Sequence, residues 1–293
     1  GYSNLRGVSI ENADFSSADI ARSDFYLASV TQTTFSDAEF YITTFEQSTL
    51  SFVDFSNTSG DQVSFTDSIL ANSEFQDASF NDASIDNFEI RVTDLSRTDF
   101  KRSTFSNVEF EENNFTDVDF QNSYFMVTDF RESNYTNAIF SGTNIFDSVL
   151  TNIDLRNTEF VDSDIMYSDF SGSDLYNANF RLSHITFSNF TDTNLSDTDF
   201  RSASLIDCSF DNSDFSSANL YFTIMRHSSL RDVDFSDTAV FGANLYEVYF
   251  TGANFTGTIF QGVTFSEYYF DGTTWNQTTW LDTSLYDYDP TNV

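Results

Sequence analysis

Ala13-Asp14-Phe15-Ser16-Ser17-Ala18-Asp19-Ile20 decides the fold. A small residue, an acidic one, a large apolar one and two polar ones are followed by the same order again. Read outward from Phe15, every fifth residue is large and apolar: Leu5 and Ile10 before it, then Ile20, Phe25, Val30 and Phe35, and on to Trp275, Trp280 and Leu285. Of 57 such centres, 56 are large and apolar, and the exception is Gly60. Two residues before the centre, 53 of 57 positions hold Ala, Ser, Thr, Val or Cys; Phe88, Asn113, Ile153 and Tyr268 depart. The register holds from residue 3 to 285, so no loop is inserted. A period of five matches neither the 3.6 of a helix nor the 2 of a strand. It requires a backbone that turns one large and one small side chain inward per five residues and then bends.

This pattern resembles the pentapeptide-repeat family, whose motif is a small residue, Asp or Asn, Leu or Phe, and two variable residues. Ala13-Asp14-Phe15-Ser16-Ser17 and Ser213-Asp214-Phe215-Ser216-Ser217 fit it, and the resemblance covers essentially the whole chain. It implies an all-β fold, a right-handed four-sided parallel β-helix with four repeats per coil and about 14 coils. At the strand spacing of about 4.8 Å the rod is expected to be roughly 65–70 Å long, with residues 20 apart stacked. The expected organisation is one solenoid over residues 1–285 and a short acidic, aromatic tail over 286–293. Gly60, lacking a centre side chain, is expected to leave a void or an inward collapse of the coil; if a void, Gly60→Leu would fill it with a gain in stability.

Composition narrows the function. Twelve basic residues against 46 acidic give a net charge of −34, which opposes direct binding to nucleic acid or anionic lipid. Divalent cations are compatible with such a surface. One Pro and ten Gly are few for a sheet protein with ordinary turns. Cys208, the single cysteine, sits at a small inward position and reads as a buried thiol. No apolar run reaches the length of a membrane span. The chain starts at Gly1 inside the repeat, without Met, which suggests a trimmed N-terminus.

Nothing in the sequence assembles into a catalytic, cofactor-binding or metal site. His184 and His227 fall at outward positions without a second His or Cys at metal spacing. The tail carries Asp282, Asp287 and Asp289 but no complete calcium-loop motif. Asn-x-Ser/Thr occurs at Asn57, Asn114, Asn134, Asn189, Asn194, Asn254 and Asn276, about as often as composition predicts, so glycosylation is permitted rather than indicated.

The informative residues are the two that follow each centre. Apolar residues there gather on two adjacent faces. One face carries Tyr41, Ile42, Val161, Leu182, Tyr221, Phe222, Phe241 and Leu281. The other carries Tyr26, Leu27, Met126, Val127, Phe146, Met166, Tyr167, Phe187, Ile206 and Tyr246. Phe52, Val92 and Tyr176 lie elsewhere. An apolar stripe on an acidic protein marks an association surface. No capping helix is read at either end, so end contacts are also expected, with Tyr2 against Trp280, Tyr286 and Tyr288. The preferred reading is a structural, self-associating rod, a subunit of an extracellular filament, sheath or surface assembly. The alternative follows from the resemblance: some members resemble B-form DNA and bind type II topoisomerases, which would place the protein in the cytoplasm. About one net negative charge per 2 Å of rod, against one per roughly 1.7 Å of duplex, is consistent with that alternative.

Overall fold

A computed structural model describes residues 2–266 and 269–281. All secondary structure among these residues is β, in short strands mostly three residues long. Every strand pairing is parallel and joins residue n to n+20, as in Phe45↔Phe65 and Leu205↔Met225. Four repeats therefore make one coil of a parallel β-helix, and the chain holds about 14 coils. Two compact units divide it, residues 1–154 and 155–293.

Each of the five repeat positions has a physical role, seen at Phe15. Its own N–H donates to the carbonyl of Thr34 on the next coil at 2.8 Å, and the N–H of Thr34 donates back to Ala13 at 3.0 Å. The corner is closed by Ala18 N–H donating to the Phe15 carbonyl at 3.0 Å. Asp14 secures the same corner, its Oδ1 accepting the N–H of Ser16 at 2.9 Å. Ser17, second after the centre, has φ of 58°, the left-handed conformation by which the chain turns at that point. Every described residue at this position, from Gly7 to Gln277, has positive φ. The scarcity of Gly and Pro is thus resolved: Asn and Asp, which tolerate this conformation, occupy 23 of the 54 described corners, and Gly only eight.

Inside, the centres stack one above another. In the first unit the rings of Phe100, Phe120 and Phe140 are 5.8 and 5.2 Å apart. In the second unit Phe160, Phe180 and Phe200 are 4.8 and 5.0 Å apart. Most Ser and Thr at the small inward position are buried yet satisfied, the hydroxyls of Ser23 and Thr128 being the unpaired ones among the described residues. Thr98 Oγ1 donates to the Phe75 carbonyl at 2.9 Å and Thr238 Oγ1 to the Phe215 carbonyl at 2.7 Å. These hydroxyls use the second lone pair of a carbonyl that already accepts the N–H closing its own corner, as Phe75 does from Ala78 and Phe215 from Ala218, so Ser or Thr can replace Ala there without stranding a polar group. Phe88, large where a small residue is usual, is buried against Phe65 at 5.2 Å, and here the strand Ser84–Arg91 runs unbroken across a corner.

Gly60 corrects the expectation of a gain on filling its place. A Cβ there would lie 2.9 Å from Val63 Cγ2 and 3.0 Å from both Phe80 Cδ1 and the Phe40 carbonyl oxygen. Phe40 and Phe80, two coils apart, lean together until their ring centroids are 6.4 Å apart. The neighbouring side chains have closed the space.

Candidate functional site

The corners that carry apolar residues are the chemically unusual part of the surface. In the first unit Leu27, Ile42, Phe52, Val92 and Val127 hold the left-handed corner position; in the second, Tyr167, Leu182, Phe187 and Phe222 do. A β-branched or bulky side chain at φ near 50–60° is strained. All nine are also exposed, Phe222 most of all at 66%. The corner does not require an apolar group, because Asn fits the same backbone without strain and suits water.

The remaining stripe residues divide by burial. Tyr41 and Met166 are exposed, while Tyr26, Met126, Phe146, Val161, Ile206, Tyr221, Phe241 and Tyr246 are half-buried. Tyr26 lies under the Arg6 guanidinium, 4.1 Å from its ring centre. Tyr167 and Phe187 stack at 5.1 Å, and Tyr221 and Phe241 approach to 4.4 Å. Apolar residues one place before the centre, which do not follow the two-face bias, are exposed too: Ile69, Tyr124, Tyr249, Ile259 and Tyr269, with Tyr249 and Tyr269 stacked at 4.9 Å. Of the expected end contacts, Tyr2 is exposed, Trp280 stacks inward on Phe260 at 4.5 Å, and Tyr286 and Tyr288 lie outside the described residues. Leu281 is exposed; Asp282, Asp287 and Asp289 also lie outside the described residues.

Acidic residues are managed along columns. Asn or Arg one coil on donates to Asp, as from Asn87 to Asp67 at 2.6 Å and from Arg97 Nε and Nη2 to Asp77 at 2.7 and 2.8 Å. The Arg97 hydrogen bond holds the Asp77 carboxyl below the usual carboxylate value. This arrangement also explains most of the sequons. Asn114, Asn189, Asn194 and Asn254 donate their amide N–H to Asp94, Asp169, Asp174 and Asp234 at 2.8–3.0 Å. Asn134 donates to Thr116 at 3.2 Å. In each, the Ser or Thr two residues on donates its hydroxyl back to the Asn Oδ1, as from Thr116 to Asn114 at 2.7 Å. Asn-x-Thr is here the corner motif itself. Asn57 and Asn276 are exposed.

Among the described residues the titratable groups do not converge. His184 is exposed, 3.7 Å from Asp164, and His227 pairs with Glu247 at 2.5 Å. Burial pushes the Cys208 thiol up to about 12. No group of three or more His, Cys, Asp or Glu suited to a metal ion occurs among the described residues. One open hollow of about 270 Å³ lies over Phe88, edged by Asp67, Asn87, Glu89 and Asn107. No helix among the described residues is long and apolar enough to cross a membrane.

Comparison with known proteins adds the family. The family model for a pentapeptide repeat region matches residues 93–170 and 203–280, and that for pentapeptide repeats matches 2–37 and 163–201. No curated protein matches the sequence. Among solved structures, HetL of the cyanobacterium Nostoc, a pentapeptide repeat protein involved in heterocyst differentiation regulation, is 18% identical with a TM-score of 0.22, over 94% of this chain and 86% of that one. Rfr23 of the cyanobacterium Cyanothece is 24% identical with a TM-score of 0.23, over 37% of this chain and 64% of its own. QnrB1, a plasmid-mediated fluoroquinolone resistance protein, is 14% identical with a TM-score of 0.26, over 77% and 91%. Likenesses this distant say nothing of function.

Proposed function

The chain belongs to the pentapeptide-repeat family, and from that premise we propose that it acts without catalysis, as a β-helical scaffold that associates with further copies of itself through its apolar corners. The observation that carries this reading is the set of exposed apolar side chains at left-handed corners. Each costs backbone strain and leaves apolar surface wet, and association recovers the second loss. The setting we propose is an extracellular filament, sheath or surface assembly. The Ser, Thr and Asn surface and the near absence of Lys support that setting.

Net charge opposes the association, so salt should strengthen it. Sedimentation velocity at low and high salt tests the reading, with electron microscopy of the native material. A chain that stays monomeric at every salt and protein concentration refutes it. The acidic columns favour a second reading, a mimic of duplex DNA that occupies a type II topoisomerase. Inhibition of supercoiling by the purified protein, relieved by excess DNA, would favour it over the first.

A further inference from the structure

One region of the second unit departs from the acidic character of the rest. It is the face built by Ala239–Phe241, Ile259–Gln261 and Thr279–Trp280, which pair in parallel as a separate sheet. Among the described residues from Asn219 to Leu281, the outward positions of this face hold Asn, Tyr, Phe, Ala, Gly, Ile, Gln, Thr and Leu, and none is charged. Around the corner the nearest positions are Ile224, Asn244 and Thr264, also uncharged, and among the described residues charge returns only at the far edge of that face, with Arg226 and with Glu247 paired to His227. On a chain of net charge −34 this is where two copies can approach with least repulsion.

The relief of this patch is self-complementary. Phe222 stands out at its corner with φ of 58°. Its ring lies over the bare backbone of Gly242 on the next coil, so that a Cβ at Gly242 would fall 2.7 Å from Cδ1 and Cε1. One coil further, Gly262 repeats the bare corner without a ring above it: a Cβ there meets only the Gly242 backbone at 3.9 Å. A projecting ring and an open notch thus sit two coils apart on the same column.

We infer that this patch is a two-fold interface with a second copy of the chain, in which Phe222 of each copy enters the Gly262 notch of the other. A two-fold axis at the level of Gly242 pairs ring with notch twice, the arrangement an isologous contact requires. The inference rests on the self-association reading and names its surface. Four coils at about 4.8 Å and two faces of roughly three residues each give about 400 Å² per copy. A total of about 800 Å² is small for a stable dimer, so the contact is transient and concentration-dependent.

The test is sedimentation equilibrium of the whole chain at moderate salt, up to the highest soluble concentration. Two variants probe the two sides of the contact. Phe222→Asn removes the ring and places at this corner a residue that tolerates positive φ, so it folds at least as well as the parent. Gly262→Asn fills the notch in space that is open within one chain. Each is expected to weaken dimerisation by roughly tenfold or more, while Gln62→Asn, a change at an exposed polar corner of the first unit, leaves it unchanged. Dimerisation that is indifferent to both Phe222→Asn and Gly262→Asn overturns this interface and leaves self-association standing on another surface. A monomer throughout overturns both.

Discussion

Gly60→Leu is the substitution on which repeat periodicity and structure disagree most plainly. Periodicity asks for a large centre. At about 4.8 Å per coil, side chains on Phe40 and Phe80 would be about 9.6 Å apart if each stayed in its own layer; their rings are instead 6.4 Å apart. They have moved together by about 3 Å into the layer that Gly60 leaves bare. The first carbon of a new side chain already meets Val63 and Phe80 side chains and the Phe40 carbonyl at 2.9–3.0 Å, and Leu must place three more carbons beyond it. Overpacking of this kind costs about 1–3 kcal/mol, and we expect Gly60→Leu to lie in the upper half of that range. Gly60→Ala should fall nearer zero, because losing the freedom of Gly in the unfolded chain returns about 0.4–1 kcal/mol. Chemical denaturation followed by far-ultraviolet dichroism measures both. Repeat arrays need not unfold in one step, so hydrogen exchange at Val63 and Phe80 should accompany it. Trimming the obstructing ring in Phe80→Leu should make Gly60→Leu less costly than it is alone. A higher denaturation midpoint for Gly60→Leu alone would show that the rings retreat without strain, and the argument would fail.

Three further outcomes follow from single residues. Val92 is β-branched at φ of 49° and exposed, so Val92→Asn should stabilise by about 1 kcal/mol, the cost of the left-handed conformation; an unchanged midpoint would remove strain from the account of the corners. The Tyr135 hydroxyl is fully buried and points toward Ser133 without a hydrogen bond of acceptable geometry, so Tyr135→Phe should stabilise by about 1–2 kcal/mol, read as a rise in melting temperature. Burial alone would raise the Asp94 and Asp129 carboxyls, but hydrogen bonds from Ser96, Gln76 and Asn114 to the first and from Arg131 to the second hold both below their usual value of 3.8. A carboxyl depressed in the folded state contributes stability above its unfolded value and loses it as pH falls through the folded value. The melting-temperature gap between the parent and Asp94→Asn should therefore persist from pH 7 to about 4 and close only below that; closure by pH 5 would contradict the assignment.

The inward half of the repeat was legible because burial is a strong selector. Large at Phe15 and small at Ala13 follow from one packed core, and the five-residue period carries both. The outward half was legible only as composition. That Asp14 closes a corner, and that Ser17 sits at positive φ, depends on backbone geometry that residue types favour without dictating; the abundance of Asn and Asp at the second place after each centre was the available signal. Asn114-Phe-Thr116 reads equally as a glycosylation sequon and as a corner clasp until the hydrogen bonds are seen. The apolar corners were visible from the start, but not the notch at Gly262. A missing side chain gains meaning only from what stands on the next coil. Gly60 misled for the same reason, because its space was filled by residues twenty positions away on either side.

The constant offset of twenty residues between paired strands also bears on how the chain reaches this state. In most parallel sheets, pairing waits on the closure of long and unequal loops. Here every pairing closes a loop of the same modest length, a separation of about 0.07 of the chain, in the range of fast-folding helical bundles rather than of sheet proteins. The hazard of such uniformity is ambiguity. A coil displaced by five residues still presents Phe-like centres to its neighbours, so speed is gained where mispairing is least penalised. Against that background the irregular residues stand out: Gly60 beneath Phe80, and Phe88 against Phe65, break the uniformity of the centres and small positions and so distinguish one alignment from its neighbours.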